Sequence, residues 1–126
     1  MATVLVVDDE APVRAALRKV LERAGLTVRE AESAAAALRV LASPGDIEAV
    51  VSDVLMPGMN GVAFYDELVH RSPRLRHRVV FLTGAARDPA VHQPLEQRGV
   101  PLIHKLDDLT IVLDAVRLAL LQAETR

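Results

Sequence analysis

The sequence contains no cysteine, which excludes disulfide bridges and thiolate metal sites and fits a reducing compartment. It also has no basic excess: 15 lysines and arginines stand against 17 acidic residues, so general nucleic-acid binding is disfavoured. No apolar run approaches the roughly 20 residues that a bilayer requires. The first residues, Met1-Ala2-Thr3, carry none of the basic charge that opens a signal peptide. We therefore expect a cytoplasmic protein that does not insert into a membrane.

What the chain does contain is enough for one ordinary domain. Its 126 residues are 51% hydrophobic and 25% charged, a globular composition, and we predict a single domain over residues 1–126. Lysine is rare, because Lys19 and Lys105 are the only two. A lysine at a special position is therefore less easily explained by chance.

Five short apolar segments have the length and composition of strands. Three of them are nearly continuous runs rich in β-branched residues, which is typical of strands covered on both faces. The predicted strands are residues 4–7, 26–30, 47–52, 79–82 and 100–104.

Helix signals separate these strands. Proline in a first turn, serine, asparagine or aspartate at a cap, and glycine at an end mark their bounds. The predicted helices start near Pro12 and stop at Gly25, run from a Ser33 cap to about Leu41 and from Asn60-Gly61 to about His70, begin at Asp88-Pro89, and run from an Asp107 cap through Leu121. Five alternations of strand and helix predict an α/β fold, a parallel sheet with helices on both faces and right-handed crossovers.

Polar residues follow four of the predicted strands at their carboxyl ends, where sheets of this kind bind ligands. They are Asp8 and Asp9, Asp53, Thr83 and Lys105. Each alone is more often a turn former or a surface charge, and acidic residues also stabilise a helix N-terminus. Their convergence from four strands favours a functional site.

The chemistry of this set points to phosphoryl transfer. Three carboxylates suit a hard cation such as Mg²⁺ rather than zinc, and the cation relieves their mutual repulsion. Lys105 and the Thr83 hydroxyl suit phosphoryl oxygens, and Asp53 remains as a nucleophile that would form an aspartyl-phosphate.

The sequence resembles the receiver domains of two-component response regulators over essentially its whole length. The motifs that carry the resemblance are Val6-Val7-Asp8-Asp9-Glu10, Asp53-Val54-Leu55-Met56-Pro57-Gly58-Met59-Asn60-Gly61, Thr83-Gly84 and Lys105.

This resemblance implies a flavodoxin-like, doubly wound (βα)5 fold with strand order 2-1-3-4-5. It further implies that Asp53 accepts a phosphoryl group from a histidine kinase or a histidine phosphotransfer protein. Asp9, Asp53 and the Leu55 carbonyl would bind Mg²⁺, while Asp8 holds metal-bound water. Thr83 and Lys105 would contact the phosphoryl group.

Three residues depart from the family pattern. Leu102 stands where an aromatic switch residue is common, so a Thr–aromatic switch in its usual form is in doubt. Leu106 replaces a cis proline after the lysine, and we expect a trans bond there because a non-proline cis bond costs about 3–4 kcal/mol. Pro94 lies within the predicted fourth helix, which should be kinked, short or mobile.

Partner contacts are also implied by the resemblance. Arg14, Ala15 and Arg18 are expected on the exposed side of the first helix, where with Leu106 they would contact the kinase. A basic cluster over residues 71–78 is interpreted as a solvated connection. Homodimers built on the last helix are common in the family.

Several alternatives remain open. The chain could be a pseudo-receiver, a docking module that has lost switching. A phosphohydrolase of the haloacid dehalogenase type is disfavoured, because such enzymes place a second aspartate where Leu55 stands. We expect no enzymatic activity beyond self-catalysed acceptance of the phosphoryl group and hydrolysis of the resulting aspartyl-phosphate. The arginine-rich segment before Val79 and the sequence Phe81-Leu82-Thr83-Gly84 resemble those of receivers fused to hybrid histidine kinases, which favours that origin over a stand-alone regulator.

Overall fold

The computed structural model describes residues 2–43, 45–84, 89–105 and 108–122. Five strands, counted along the chain, form one parallel sheet in the order 2-1-3-4-5, so the predicted flavodoxin-like topology is confirmed. The strands are β1 Thr3–Val7, β2 Thr27–Ala31, β3 Ile47–Asp53, β4 Val79–Thr83 and β5 Leu102–His104.

Helices cover both faces of this sheet. They are α1 Ala11–Arg23, α2 Ala34–Ala42, α3 Gly61–Arg71, α4 Pro89–Gln97 and α5 Leu109–Leu120, with a 3₁₀ turn at Pro73–Leu75. Successive strand residues point to opposite faces. The core is therefore divided in two: α1 and α5 pack on one side of the sheet, and α2, α3 and α4 on the other.

The predicted capping residues start two of the helices. Ala36 N–H donates to Ser33 Oγ at 3.1 Å, and Ala63 N–H donates to Asn60 Oδ1 at 2.9 Å. Each satisfies an N–H that a helix start leaves without an intrahelical partner.

The last strand and the last helix begin later than predicted. Val100 N–H donates to the Leu95 carbonyl at 3.2 Å and closes the end of α4, so β5 starts at Leu102 rather than at residue 100. Asp108 caps α5 by accepting from Thr110 N–H at 2.9 Å, one residue after the predicted cap position. Asp107 lies outside the described residues, as does Asp88, the predicted cap of α4.

Helix α4 continues through Pro94 for three more residues and is short, with nine residues in total. Pro94 cannot donate the hydrogen bond that residue 94 of a helix would give to the carbonyl of residue 90. At the far end, Arg98 forms a paired contact with Asp66 of α3, with two nitrogen–oxygen distances of 2.8 Å. The C-terminal end of α4 is therefore attached to its neighbour.

The basic segment before β4 is more than a solvated connection. Arg78 donates to the Glu48 carbonyl at 3.3 Å and to the Gln122 carbonyl at 2.9 Å, which joins β3 to the end of α5. The buried Tyr65 hydroxyl donates to the Arg76 carbonyl at 2.6 Å. The expectation of a solvated segment is thus wrong for Arg78. Among the described residues, no helix is long and apolar enough to cross a membrane.

Candidate functional site

The carboxyl ends of the strands are joined by backbone hydrogen bonds that continue past the strands themselves. Asp8 N–H donates to the Ala31 carbonyl at 3.1 Å, Val54 N–H to Leu82 at 2.9 Å, and Lys105 N–H to Thr83 at 2.8 Å. Residues just beyond the ends of β1, β3 and β5 are thereby fixed at one edge of the sheet, two of them by bonds to the last residues of β4. This is the edge at which the sequence predicted a site.

Lys105 is the centre of the charged cluster. Its Nζ lies 2.8 Å from Asp53 Oδ2, 3.1 Å from Asp8 Oδ2 and 3.7 Å from Glu10 Oε1. Three of the predicted site residues, Asp8, Asp53 and Lys105, are therefore in direct contact.

Burial gives this cluster its electrostatic character. The side chains of Asp8, Asp53 and Lys105 are 1%, 8% and 19% exposed. Burial raises the pKa of Asp8, although the Glu10 N–H and Lys105 act against that rise. Burial alone would lower the pKa of Lys105, but contacts with Asp53 and Asp8 outweigh it and leave that pKa raised. The lysine is therefore held in its charged form beside Asp53.

The acidic residues fit a hard divalent cation. Carboxylate oxygens of Asp8, Asp9 and Glu10 lie within 4.8 Å of one another. Among the described residues, the buried Asp8 Oδ2 has the Lys105 ion pair as its contact and no further hydrogen-bond donor, while Glu10 N–H donates to Asp8 Oδ1. An all-oxygen donor set with a buried, incompletely satisfied carboxylate suits Mg²⁺. Glu10 belongs to this cluster although it was not predicted as a ligand.

The loop after Asp53 is folded back on itself. Leu55 N–H donates to Asp53 Oδ1 at 3.2 Å, and Leu55–Met56 pairs antiparallel with Met59–Asn60. Gly61 N–H then donates to the Val54 carbonyl at 2.7 Å. A Cβ on Gly61 would lie 3.0 Å from that carbonyl oxygen, so this close approach favours glycine. The loop holds the Asp53 carboxylate while Leu55 projects a largely exposed side chain.

Thr83 contacts a residue that sequence reasoning missed. Its Oγ1 and His92 Nε2 share a hydrogen bond of 2.5 Å, and both residues are buried. His92 lies in α4, nine positions along the chain, and belongs to no motif. The sequence offered no signal for it beyond its place about one helical turn after the predicted start of α4.

The residues predicted to contact a kinase occupy different environments. Ala15 is exposed, whereas the Arg14 side chain is only 17% exposed and donates to Glu30 Oε1 and to the Asp8 carbonyl. Arg18 also pairs with Glu30. The expectation of an exposed Arg14 is wrong, because the side chain bridges α1 to β2 and to the acidic loop. Leu106 lies outside the described residues, and the docking role of all four residues remains a prediction.

The aromatic residue that could replace the missing switch residue is fixed in the core. Phe81 is fully buried and packs edge-on against Tyr65, with ring centroids 6.3 Å apart. Leu102, which lies opposite Phe81 on β5, is half-buried.

Comparison with known proteins agrees with this geometry. The model of the response regulator receiver domain family matches residues 4–117. The sensor kinase CckA of Brucella abortus is 40% identical over 88 residues, which are 69% of this chain and 9% of that protein. The transcriptional regulatory protein FixJ of Azorhizobium caulinodans is 33% identical over 115 residues, 91% of this chain and 53% of FixJ.

A solved structure has the same fold. The response regulator receiver domain protein from Clostridium thermocellum superposes with a TM-score of 0.85 at 25% identity, covering 95% of this chain and 94% of that one. The curated relatives are longer, since this chain spans from about a tenth to about half of the two named above.

Proposed function

The chain belongs to the response regulator receiver domain family, and on this premise we propose that it accepts a phosphoryl group on Asp53 and thereby changes its contacts with a signalling partner. Receiver domains in general take part in two-component signal transduction. The observation that carries the proposal is the position of Lys105, whose Nζ lies 2.8 Å from Asp53 Oδ2 and 3.1 Å from Asp8 Oδ2.

In the proposed transfer, an Asp53 carboxylate oxygen attacks the phosphorus of a phosphohistidine. The new O–P bond forms as the P–N bond breaks, and the electron pair of that bond passes to the donor imidazole. Lys105 leaves Asp53 Oδ2 and pairs with an oxygen of the incoming group, because phosphoryl oxygens carry the developing charge. The folded loop and the Leu55 N–H hold the other carboxylate oxygen in place.

Mg²⁺ would be held by Asp9, Asp53 and the Leu55 carbonyl, with Asp8 holding metal-bound water and Glu10 beside them in the acidic cluster. When bound, the ion neutralises charge on the carboxylates and the phosphoryl group. Asp8 is already fixed for this role, because Glu10 N–H donates to its Oδ1 at 2.8 Å and leaves Oδ2 directed at Lys105.

We propose no enzymatic activity beyond forming and hydrolysing this aspartyl-phosphate. The donor would be a histidine kinase or a histidine phosphotransfer protein, the general partners of receiver domains. Because the matched relatives are longer than this chain, a place in a hybrid kinase or in a larger regulator is part of the proposal.

Intact mass after incubation with acetyl phosphate and Mg²⁺ tests the acceptor chemistry. We expect one added phosphoryl group, absent in Asp53→Asn and after metal removal. Asp46→Asn, which changes an exposed loop carboxylate, is the matched control and should retain the adduct. Failure of the unaltered protein to form an adduct or to bind beryllofluoride would refute the phosphoacceptor role and favour a docking module.

A further inference from the structure

A buried hydrogen bond connects the phosphoacceptor edge of the sheet to α4. Thr83 ends β4 and is 6% exposed, and His92 of α4 is 5% exposed. We propose that His92 is a positioning residue that holds the Thr83 hydroxyl in the unphosphorylated protein and passes the movement of Thr83 to α4 when Asp53 is phosphorylated. This inference rests on the proposed function.

The hydrogen count of the two side chains makes their contact sensitive to phosphorylation. A threonine hydroxyl has one hydrogen to donate, while phosphoryl oxygens only accept. If the hydroxyl donates to His92 Nε2, it must break that hydrogen bond before it can donate to a phosphoryl oxygen. If Nε2 carries the hydrogen, the bond can persist, but the ring must follow the hydroxyl. In both cases the hydrogen-bonding state or the position of the imidazole changes with Thr83.

The attachment of α4 leaves its first half responsive to this change. Its C-terminal half is held by the fully buried Leu95 and by the Arg98–Asp66 pair. Pro94 lies between that half and His92, and its missing N–H weakens the helix at this point. A shift of the imidazole therefore acts on the part of α4 that lies before Pro94.

His92 also lies next to a surface that a partner could reach. His92 lines a shallow cleft with Pro89, Gln93 and Glu96, and those three residues of α4 are exposed. An aromatic side chain cannot follow Thr83 here in the way usual for the family, because Phe81 is packed in the core and Leu102 has no ring. Thr83 thus reaches the surface of α4 through His92.

Nuclear magnetic resonance of the labelled protein tests this coupling. Backbone amide shifts of α4 and the ring nitrogen shifts of His92 are recorded with Mg²⁺, before and after saturation with beryllofluoride, whose occupancy is read from its fluorine signal. We expect the α4 amides and the His92 ring signals to shift in the unaltered protein. His92→Leu should lose most of the α4 response at full occupancy, and His92→Gln, whose amide can replace Nε2, should retain part of it.

Thr83→Val keeps the imidazole and removes the hydroxyl, so it must also lose the α4 response. This variant and the ring signals of the unaltered protein decide the question if His92→Leu does not fold. An α4 response in His92→Leu equal to that of the unaltered protein, or unchanged ring signals on beryllofluoride binding, would overturn the proposal. Absence of bound beryllofluoride in the unaltered protein is a different result, which refutes the phosphoacceptor function itself.

Discussion

Replacement of Lys105 by methionine tests whether the charged cluster is held together as its geometry indicates. Methionine keeps most of the length of the side chain and removes the charge, so Asp8 and Asp53 lose the cation that lies 3.1 and 2.8 Å from them. Both carboxylates are almost fully buried, and the lysine side chain is 19% exposed. Without the lysine charge, the two carboxylates would repel each other with little solvent to screen their charges.

The expected loss of stability follows from this burial. Removal of one partner from a buried ion pair costs about 3–5 kcal/mol, whereas exposed pairs contribute roughly 0.2–1 kcal/mol. Because the lysine retains some exposure and a carboxylate can take up a proton, we expect a loss of about 3 kcal/mol. For a domain of this size that lowers the Tm by roughly 10 °C.

Chemical denaturation at neutral pH in the absence of Mg²⁺ measures this loss. The matched control is Lys19→Met, which removes the other lysine of the chain from an exposed position on α1 and should change stability by less than about 0.5 kcal/mol. Mg²⁺ should restore part of the lost stability, by roughly 2.7 kcal/mol at a hundredfold excess over its Kd. Equal losses in the two variants would refute a buried cluster and indicate a solvated lysine.

Three further substitutions test local features of the fold. Gly61→Ala places a Cβ 3.0 Å from the Val54 carbonyl oxygen and should destabilise the protein by about 1–3 kcal/mol. The control Gly84→Ala, whose Cβ meets nothing within 4 Å, should not destabilise it. Similar unfolding midpoints for the two variants would contradict the close packing of the acceptor loop. Burial raises the pKa of Tyr65, so the folded state retains a proton that the unfolded chain loses, and stability should fall as pH rises above about 10. Tyr65→Phe should remove the part of the stability loss at alkaline pH that comes from this tyrosine. The chain has one tyrosine, so its phenol can be titrated by absorbance, and a curve equal to that of the unfolded chain would contradict a raised pKa. Ser33→Ala should cost about 1 kcal/mol by removing the α2 cap, while Ser33→Thr should retain most of the stability; equal denaturation curves for the two variants would exclude a role for the cap.

Local signals in the sequence were sufficient for most of the fold. The β-branched run of β1, the Ser33 cap and the Asn60-Gly61 start each act within a few residues, so each could be recognised without the rest of the chain. The start of β5 was mispredicted because it depends on how the preceding helix, α4, ends. Val100 has the composition of a strand residue, but its N–H closes the end of α4 instead.

The site could be predicted only to the level of strand ends. Parallel topology brings Asp8, Asp53 and Lys105 to one edge, where Lys105 Nζ lies 3.1 and 2.8 Å from the two carboxylates. Two features depend on details that no motif carries. The rotation of α4 about its axis directs His92 toward Thr83, and the reach of Arg14 across to Glu30 determines which of its atoms remain exposed.

The division of the core by the sheet has a consequence for how this protein can change. Neighbouring strand residues such as Val50 and Val51 belong to different halves of the interior and share few partners. Substitutions beneath α1 and α5 should therefore add, with little interaction energy, to substitutions beneath α3 and α4. The helices on each face of the sheet can then accumulate substitutions separately, limited by the packing of their own half of the interior. The charged edge of Asp8, Asp53 and Lys105 is common to both halves and need not change with either.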